Sequence, residues 1–147
     1  MKVAIITDTH YGGKNDNISF ASYQRRFYEN TFFPILRREK IDTILHLGDV
    51  FDRRKYSNYN SLHLAKEMFF DPARDYNIHM LVGNHDAYYK NTNDVNSISL
   101  TCAEYENITL YEKDLSDVDQ VNNIISLLGY HKNDIDGVLP VTIGKNY

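Results

Sequence analysis

Three short stretches of this sequence carry side chains that could hold a metal ion. They are Asp8-Thr9-His10, Gly48-Asp49-Val50-Phe51-Asp52-Arg53 and Gly83-Asn84-His85-Asp86. Carboxylate, imidazole and amide oxygen together suit divalent manganese, iron or zinc rather than calcium or magnesium alone. Asp8 and His10, two apart on what should be an extended segment, would point the same way and grip one ion. Asp49 could bridge that ion to a second, to which Asn84 would offer a neutral oxygen. Two ions about 3.5–4 Å apart can activate a water and stabilise the leaving oxygen of an in-line phosphoryl displacement. His85 is then left to donate a proton or to hold a phosphate oxygen. Each stretch alone also reads as a turn; the metal-site reading rests on all three following buried strands.

The elements that must position these groups are legible as runs. Lys2 to Thr7, Ile41 to Leu47 and Ile78 to Val82 are short, mostly apolar segments, the pattern of strands buried on both faces of a parallel sheet. Ser19 is a candidate cap for a helix whose buried face would be Phe20, Phe27, Thr31 and Ile35, with Arg25, Arg26 and Glu29 outward. Pro34 must kink or interrupt it, because proline has no N–H and clashes with the preceding turn. A second helix is expected from about Asn60, with Leu62, Ala65, Met68 and Phe69 on one face and Asp71-Pro72 ending it. A polar loop from Lys90 to Asn93 should lead to a short helix over Asp94 to Glu104. Further strands are expected at Ile108 to Tyr111, Val121 to Leu128 and, less legibly, Val138 to Ile143. Strands alternating with helices imply right-handed crossovers and a parallel sheet. In such sheets ligands sit beyond the carboxyl ends of the strands, where all three stretches fall.

The bulk numbers bound the answer. A chain of 147 residues, 42% hydrophobic and 24% charged, fits one ordered domain. A net charge of −4 lacks the basic footprint of a protein that coats nucleic acid, although bound cations could supply positive charge locally. No apolar run approaches a membrane span, and the N-terminus turns polar too soon for a signal peptide, so a cytoplasmic protein with no membrane association is expected. Cys102 is the only cysteine and reads as a small core residue. His46, His63 and His79 read as structural.

Taken together, the three motifs resemble the calcineurin-like metallophosphoesterase superfamily, marked by D-x-H, G-D-x-x-D-R/H and G-N-H-D/E. Gly48-Asp49-Val50-Phe51-Asp52-Arg53-Arg54-Lys55, and Val82-Gly83-Asn84-His85-Asp86 followed by Tyr89-Lys90-Asn91, are most similar to the SbcD/MRE-type nucleases of double-strand-break repair, including the phage recombination endonuclease subunits. The resemblance runs from about Met1 to Leu128. It implies an α/β fold: a parallel or mixed β-sheet with flanking helices, forming the N-terminal half of a four-layered α/β/β/α phosphoesterase. It implies that Asp8, His10 and Asp49 hold the first metal, and Asp49 with Asn84 the second. His85 would be catalytic, oriented by Asp52, and Arg53 would touch phosphate or DNA. The implied cofactors are two divalent ions, manganese first, with iron, zinc or magnesium as alternatives. The implied partners are DNA, an SbcC-like SMC-type ATPase subunit and a second copy of the chain, joined through the helices near Asn60 to Phe70 and Asp94 to Glu104.

The family pattern also includes a later Gly-His motif and a Gly-His-x-His motif, and neither occurs in these residues. After His85 the only histidine is His131, in Gly129-Tyr130-His131, which reads as structural. The expectation is therefore one phosphoesterase domain over residues 1–147 that stops before its last ligands, with a weakened first site and an empty second. Three functions follow: a metal-dependent DNA exo/endonuclease subunit, a small-molecule phosphoesterase, or an inactive dimerising module.

Overall fold

The computed structural model describes residues 2–53, 55–83, 85–89, 92–111 and 137–140. Three of its strands are the expected apolar runs: β1 (Lys2–Ile6), β2 (Thr43–His46) and β3 (Asn77–Leu81). With β6 (Ile108–Tyr111) and β7 (Gly137–Pro140) they form a five-stranded sheet in the order β6-β3-β2-β1-β7, all neighbours parallel. β2 is thus the middle strand, flanked by β1 and β3, and all four of its residues are buried. The strand expected at Val138 to Ile143 is represented by β7. The one expected at Val121 to Leu128 lies outside the described residues, as does His131.

Alternate residues of the strands face opposite ways. Ala4, Ile6, Ile44, Ile78 and Met80 join the main core, whereas Val3, Leu45 and Leu81 form a smaller cluster. Helices cover the first set. α2 (Ile18–Phe27) runs through a π-helical turn (Tyr28–Phe32) into α3 (Phe33–Glu39). α4 (Tyr59–Ala65) likewise continues as a π-helical turn (Lys66–Phe70). The two π turns meet over the sheet, where Tyr28, Phe32, Phe33, Phe69 and Phe70 pack edge-on, tilted or, for Phe33 on Phe69, stacked, with centroids 5.2 to 6.5 Å apart. Fully burying an aromatic side chain contributes on the order of 2–3 kcal/mol, so this cluster dominates the attachment of the helices.

The π turn corrects the helical face expected from 3.6-residue spacing. Gln24, Tyr28, Phe32 and Leu36, each four apart, are buried, whereas Thr31 is exposed and Phe20, Phe27 and Ile35 are half-buried. An i→i+5 turn holds an extra residue and so rotates the inward face. Pro34 falls in the first turn of α3, where a missing N–H costs least; the interruption expected there is the π turn just before it. The cap of α2 is Asn17 rather than Ser19: its side chain accepts from the Phe20 N–H at 3.0 Å.

Between Asp86 and Ser97 the chain forms a hairpin that the sequence reading did not anticipate, β4 (Ala87–Tyr89) against β5 (Thr92–Asn96). The expected helix shrinks to α5 (Ser97–Cys102), because Asn96 caps it by accepting from the Ser99 N–H at 2.7 Å. Cys102 is buried, which pushes its thiol up to about 12. Among the described residues, no helix is long and apolar enough to cross a membrane.

Candidate metal centre

Past the ends of β1 and β2 the two chains stay zipped together. Asp8 N–H donates to Gly48 O (3.1 Å), His10 N–H to Asp49 O (3.1 Å), Tyr11 N–H to Val50 O (2.7 Å) and Asp52 N–H to Tyr11 O (3.1 Å). These bonds hold a backbone that is not extended, contrary to the reading of Asp8 and His10. Asp8, His10 and Asp49 have φ of 54°, 46° and 53°, and Gly48 has 97°. A left-handed L-residue costs roughly 1–2 kcal/mol, so the three residues store strain that the surrounding hydrogen bonds must offset. Such outliers gather where a site over-determines its side chains.

The strain has a geometric result. Asp8, His10 and Asp49 each offer a ligand atom, and these atoms lie within 4.8 Å of one another. His10 Nε2 is 3.4 Å from Asp8 Oδ1. His10 Nδ1 is buried, has no hydrogen-bond partner among the described residues, and faces Asp52 Oδ1 at 3.8 Å. Two carboxylates and one imidazole nitrogen converging in this way fit a divalent cation. The second nitrogen turned towards a carboxylate is how ligating histidines are commonly oriented.

β3 delivers the next groups. Gly83 sits so close to the second loop that a Cβ on it would overlap the Asp49 nitrogen and carboxylate and lie 2.9 Å from the Gly48 carbonyl carbon. Glycine is therefore required for contact, while at Gly48 it is required for φ as well. His85 follows. Its N–H donates to Asp49 Oδ1 at 2.8 Å, and its ring stands edge-on to His10 with centroids 5.2 Å apart. Its Nδ1 is 2.7 Å from the main-chain oxygen of Asp52. A carbonyl can only accept, so Nδ1 carries the proton and Nε2 is left for chemistry. Asp52 was expected to orient His85; its main-chain carbonyl touches that ring, and its carboxylate faces His10. Asn84, the expected ligand of the second ion, lies outside the described residues, as do Arg54, Lys90 and Asn91.

Two supports were not singled out from sequence. Asp86, 1% exposed, accepts from Phe51 N–H at 3.1 Å and Gly83 N–H at 3.0 Å, clamping the second loop to the third. Burial pushes its carboxyl up to about 6 despite those donors. Its position directly after His85 in an otherwise functional motif was the available signal. Beneath the first loop lies a buried polar chain. His46 Nδ1 accepts from Gly48 N–H (3.2 Å), its Nε2 meets Thr9 Oγ1 (3.3 Å), and that hydroxyl donates to Val50 O (3.3 Å). Gln24 Nε2 donates to Thr9 O from helix α2. Burial drives the His46 ring down to about 3, so it is neutral.

Arg53, expected as a phosphate or DNA contact, is tied within the fold: Nη1 donates to Asp16 Oδ2 at 3.1 Å and Nη2 to Asn15 Oδ1 at 2.6 Å. His79 and His63 stand apart from the site, the one against Tyr111 Oη at 2.9 Å and the other near Glu67 at 3.8 Å.

The comparisons with known proteins agree with this geometry. Over 115 residues, 77% of this chain and 33% of the relative, the sequence is 30% identical to exonuclease subunit 1 of Enterobacteria phage T4. The chain thus spans about a third of that protein's length. The family model for calcineurin-like phosphoesterases matches residues 1–144. A parallel sheet with flanking helices is consistent with the N-terminal half of that α/β fold. The chain belongs to the calcineurin-like phosphoesterase family.

Proposed function

We propose that this metallophosphoesterase acts on DNA, as a nuclease subunit that hydrolyses phosphodiester bonds in recombination and repair. The observation that carries the reading is the convergence of Asp8, His10 and Asp49 within 4.8 Å, with the His85 ring packed against His10. In the proposal these three hold a first divalent ion, manganese by preference, and Asp49 with Asn84 contributes to a second. When bound, the ions supply a water acidic enough to attack phosphorus and charge to steady the leaving oxygen. The chain's own residues do the rest. His85, its Nδ1–H held by the Asp52 carbonyl, directs Nε2 at the phosphate, where in its protonated form it donates to the leaving oxygen. Arg53, fixed by Asp16, adds positive charge next to Asp52. The similarity to a phage exonuclease subunit supports a nuclease role beside a further subunit; in the proposal the substrate is DNA and the partner an SMC-type ATPase. Residues 1–147 would form part of a single phosphoesterase domain, and α4 and α5 would join two copies.

A second reading is an inactive interaction module. One experiment separates the two. The chain is incubated with manganese and linear double-stranded DNA, or with bis-p-nitrophenyl phosphate, beside its His85→Ala variant, and bound metal is counted by mass spectrometry. Cleavage of DNA that His85→Ala abolishes is expected. Cleavage of the small diester alone would replace the nuclease reading with a small-molecule phosphoesterase, and cleavage of neither would favour the inactive module.

A further inference from the structure

The turn after the first motif is strained in a way the metal ligands do not require. In α1 (Gly13–Asp16), Lys14, Asn15 and Asp16 have φ of 52°, 64° and 59°, three consecutive left-handed residues, none of them glycine. The turn brings two side chains to Arg53. Asp16 Oδ2 and Asn15 Oδ1 accept from its two terminal nitrogens, at 3.1 and 2.6 Å. The other oxygen of Asp16 accepts from Ser61 Oγ on α4 at 2.5 Å. Gly12 makes room for this meeting, since a Cβ there would lie 2.8 Å from Ser61 Oγ and 3.0 Å from Asp16 Oδ1. The arginine is covered from another side by Tyr56, whose ring centre is 5.1 Å from the guanidinium carbon. Asp16 and Arg53 are 20% and 23% exposed, so the pair is only lightly screened. Its partners lower the Asp16 carboxyl, Ser61 first and Arg53 with it, so it carries charge throughout the neutral range.

What this cluster holds is the peptide between residues 52 and 53. That unit is planar, so once its two Cα atoms are held its carbonyl can turn only about the line that joins them. The Asp52 side is fixed by its N–H bond to Tyr11 O at 3.1 Å. The Arg53 side is fixed by the guanidinium's grip on Asp16 and Asn15. The carbonyl between them is the one that receives the His85 Nδ1 proton at 2.7 Å. We infer that Asp16, acting through Arg53, is a positioning residue for the His85 imidazole, tying the loop after β1 to the ring delivered by β3. The inference rests on the reading of His85 as the catalytic imidazole. A salt bridge that merely stapled two loops to α4 would affect stability but not the state of that ring.

The test reads the ring directly. In the full chain with ¹⁵N-labelled histidine at pH 8, a long-range ¹H–¹⁵N correlation reports which nitrogen of His85 is protonated; His85→Gln assigns the signal. The native chain is expected to show the Nδ1–H form alone. Asp16→Asn and Arg53→Met should both bring the Nε2–H form into exchange. With manganese and bis-p-nitrophenyl phosphate, both should lower kcat about tenfold with KM within about twofold, the lower end of what supporting residues around metal sites contribute. Arg25→Met is the control, because it breaks a comparable ion pair, bidentate to Glu67 at 2.9 Å, on the outer helical layer. A folded Asp16→Asn or Arg53→Met chain with the native His85 tautomer would overturn the inference. So would Arg25→Met producing the same change in His85. If Asp16→Asn does not fold, Arg53→Met decides on the same criteria. Full diesterase activity in His85→Ala would instead sink the catalytic reading, leaving the tautomer result to judge the positioning alone.

Discussion

Lowering the pH should set two buried groups beneath the metal centre against each other. His46 is 0% exposed and its ring is driven down to about 3, while Asp86, 1% exposed, is driven up to about 6. An unfolded histidine titrates near ~6.5 and an unfolded aspartate near ~3.9. The His46 contribution is therefore whole above about pH 6.5 and is lost as pH falls towards 3. The Asp86 contribution runs the other way: it is present below about pH 4 and is lost as pH rises through 6. While a group is charged in one state and neutral in the other, the slope is about 1.4 kcal/mol per pH unit. Between pH 7 and pH 5, His46 should thus cost the native state about 2 kcal/mol and Asp86 should return about 1 kcal/mol. The native chain would conceal most of both, with a net change from the pair of about 1 kcal/mol.

Substitution separates them. His46→Asn keeps an acceptor for the Gly48 N–H but removes the titrating ring, at a static cost for the void beside Phe69 that is the same at both pH values. Urea unfolding in EDTA at pH 7 and pH 5 measures the difference. The stability gap between the native chain and His46→Asn should shrink by about 2 kcal/mol on acidification, and the deficit of Asp86→Asn should grow by about 1 kcal/mol. A gap for His46→Asn that is unchanged between the two pH values would refute the argument. It would mean that the native ring takes up a proton as readily as the unfolded one, which a ring sealed between Thr9, Gly48 and Phe69 could not do.

Further outcomes follow from the same geometry. Gly83→Ala should unfold the chain or destabilise it by at least about 3 kcal/mol in urea, because its Cβ would overlap the Asp49 backbone rather than a side chain that can turn away. Manganese should raise the thermal midpoint, by an amount equivalent to about 2.7 kcal/mol at a hundred times its dissociation constant, and EDTA should reverse the shift. Asp49→Asn should abolish that shift; a shift that persists would place the ion elsewhere. Asn17→Ala should cost about 1 kcal/mol of stability by leaving the Phe20 N–H uncapped, while leaving the manganese shift unchanged.

The three strands and the residues at their ends were legible because their signals are local. A buried parallel strand is a continuous apolar run, and Asp8, His10, Asp49 and His85 stand immediately beyond such runs. What stayed hidden depends on partners far along the chain or on backbone angles that residue types do not announce. Asp16 and Arg53 are 37 residues apart, and no periodicity pairs them. The π turns insert a residue into a helix whose letters look ordinary, which moved the buried face from Thr31 to Gln24, Tyr28, Phe32 and Leu36. Asp52 was identified by its carboxylate, yet the atom that touches His85 is its carbonyl, which any residue would supply. Its side chain faces His10 at 3.8 Å, apart from the use the fold makes of its backbone. One residue thus serves both imidazoles through two different groups. Loosening the loop that carries it should disturb His10 and His85 together, whereas Asp52→Asn should alter the surroundings of His10 and leave the His85 tautomer as it is.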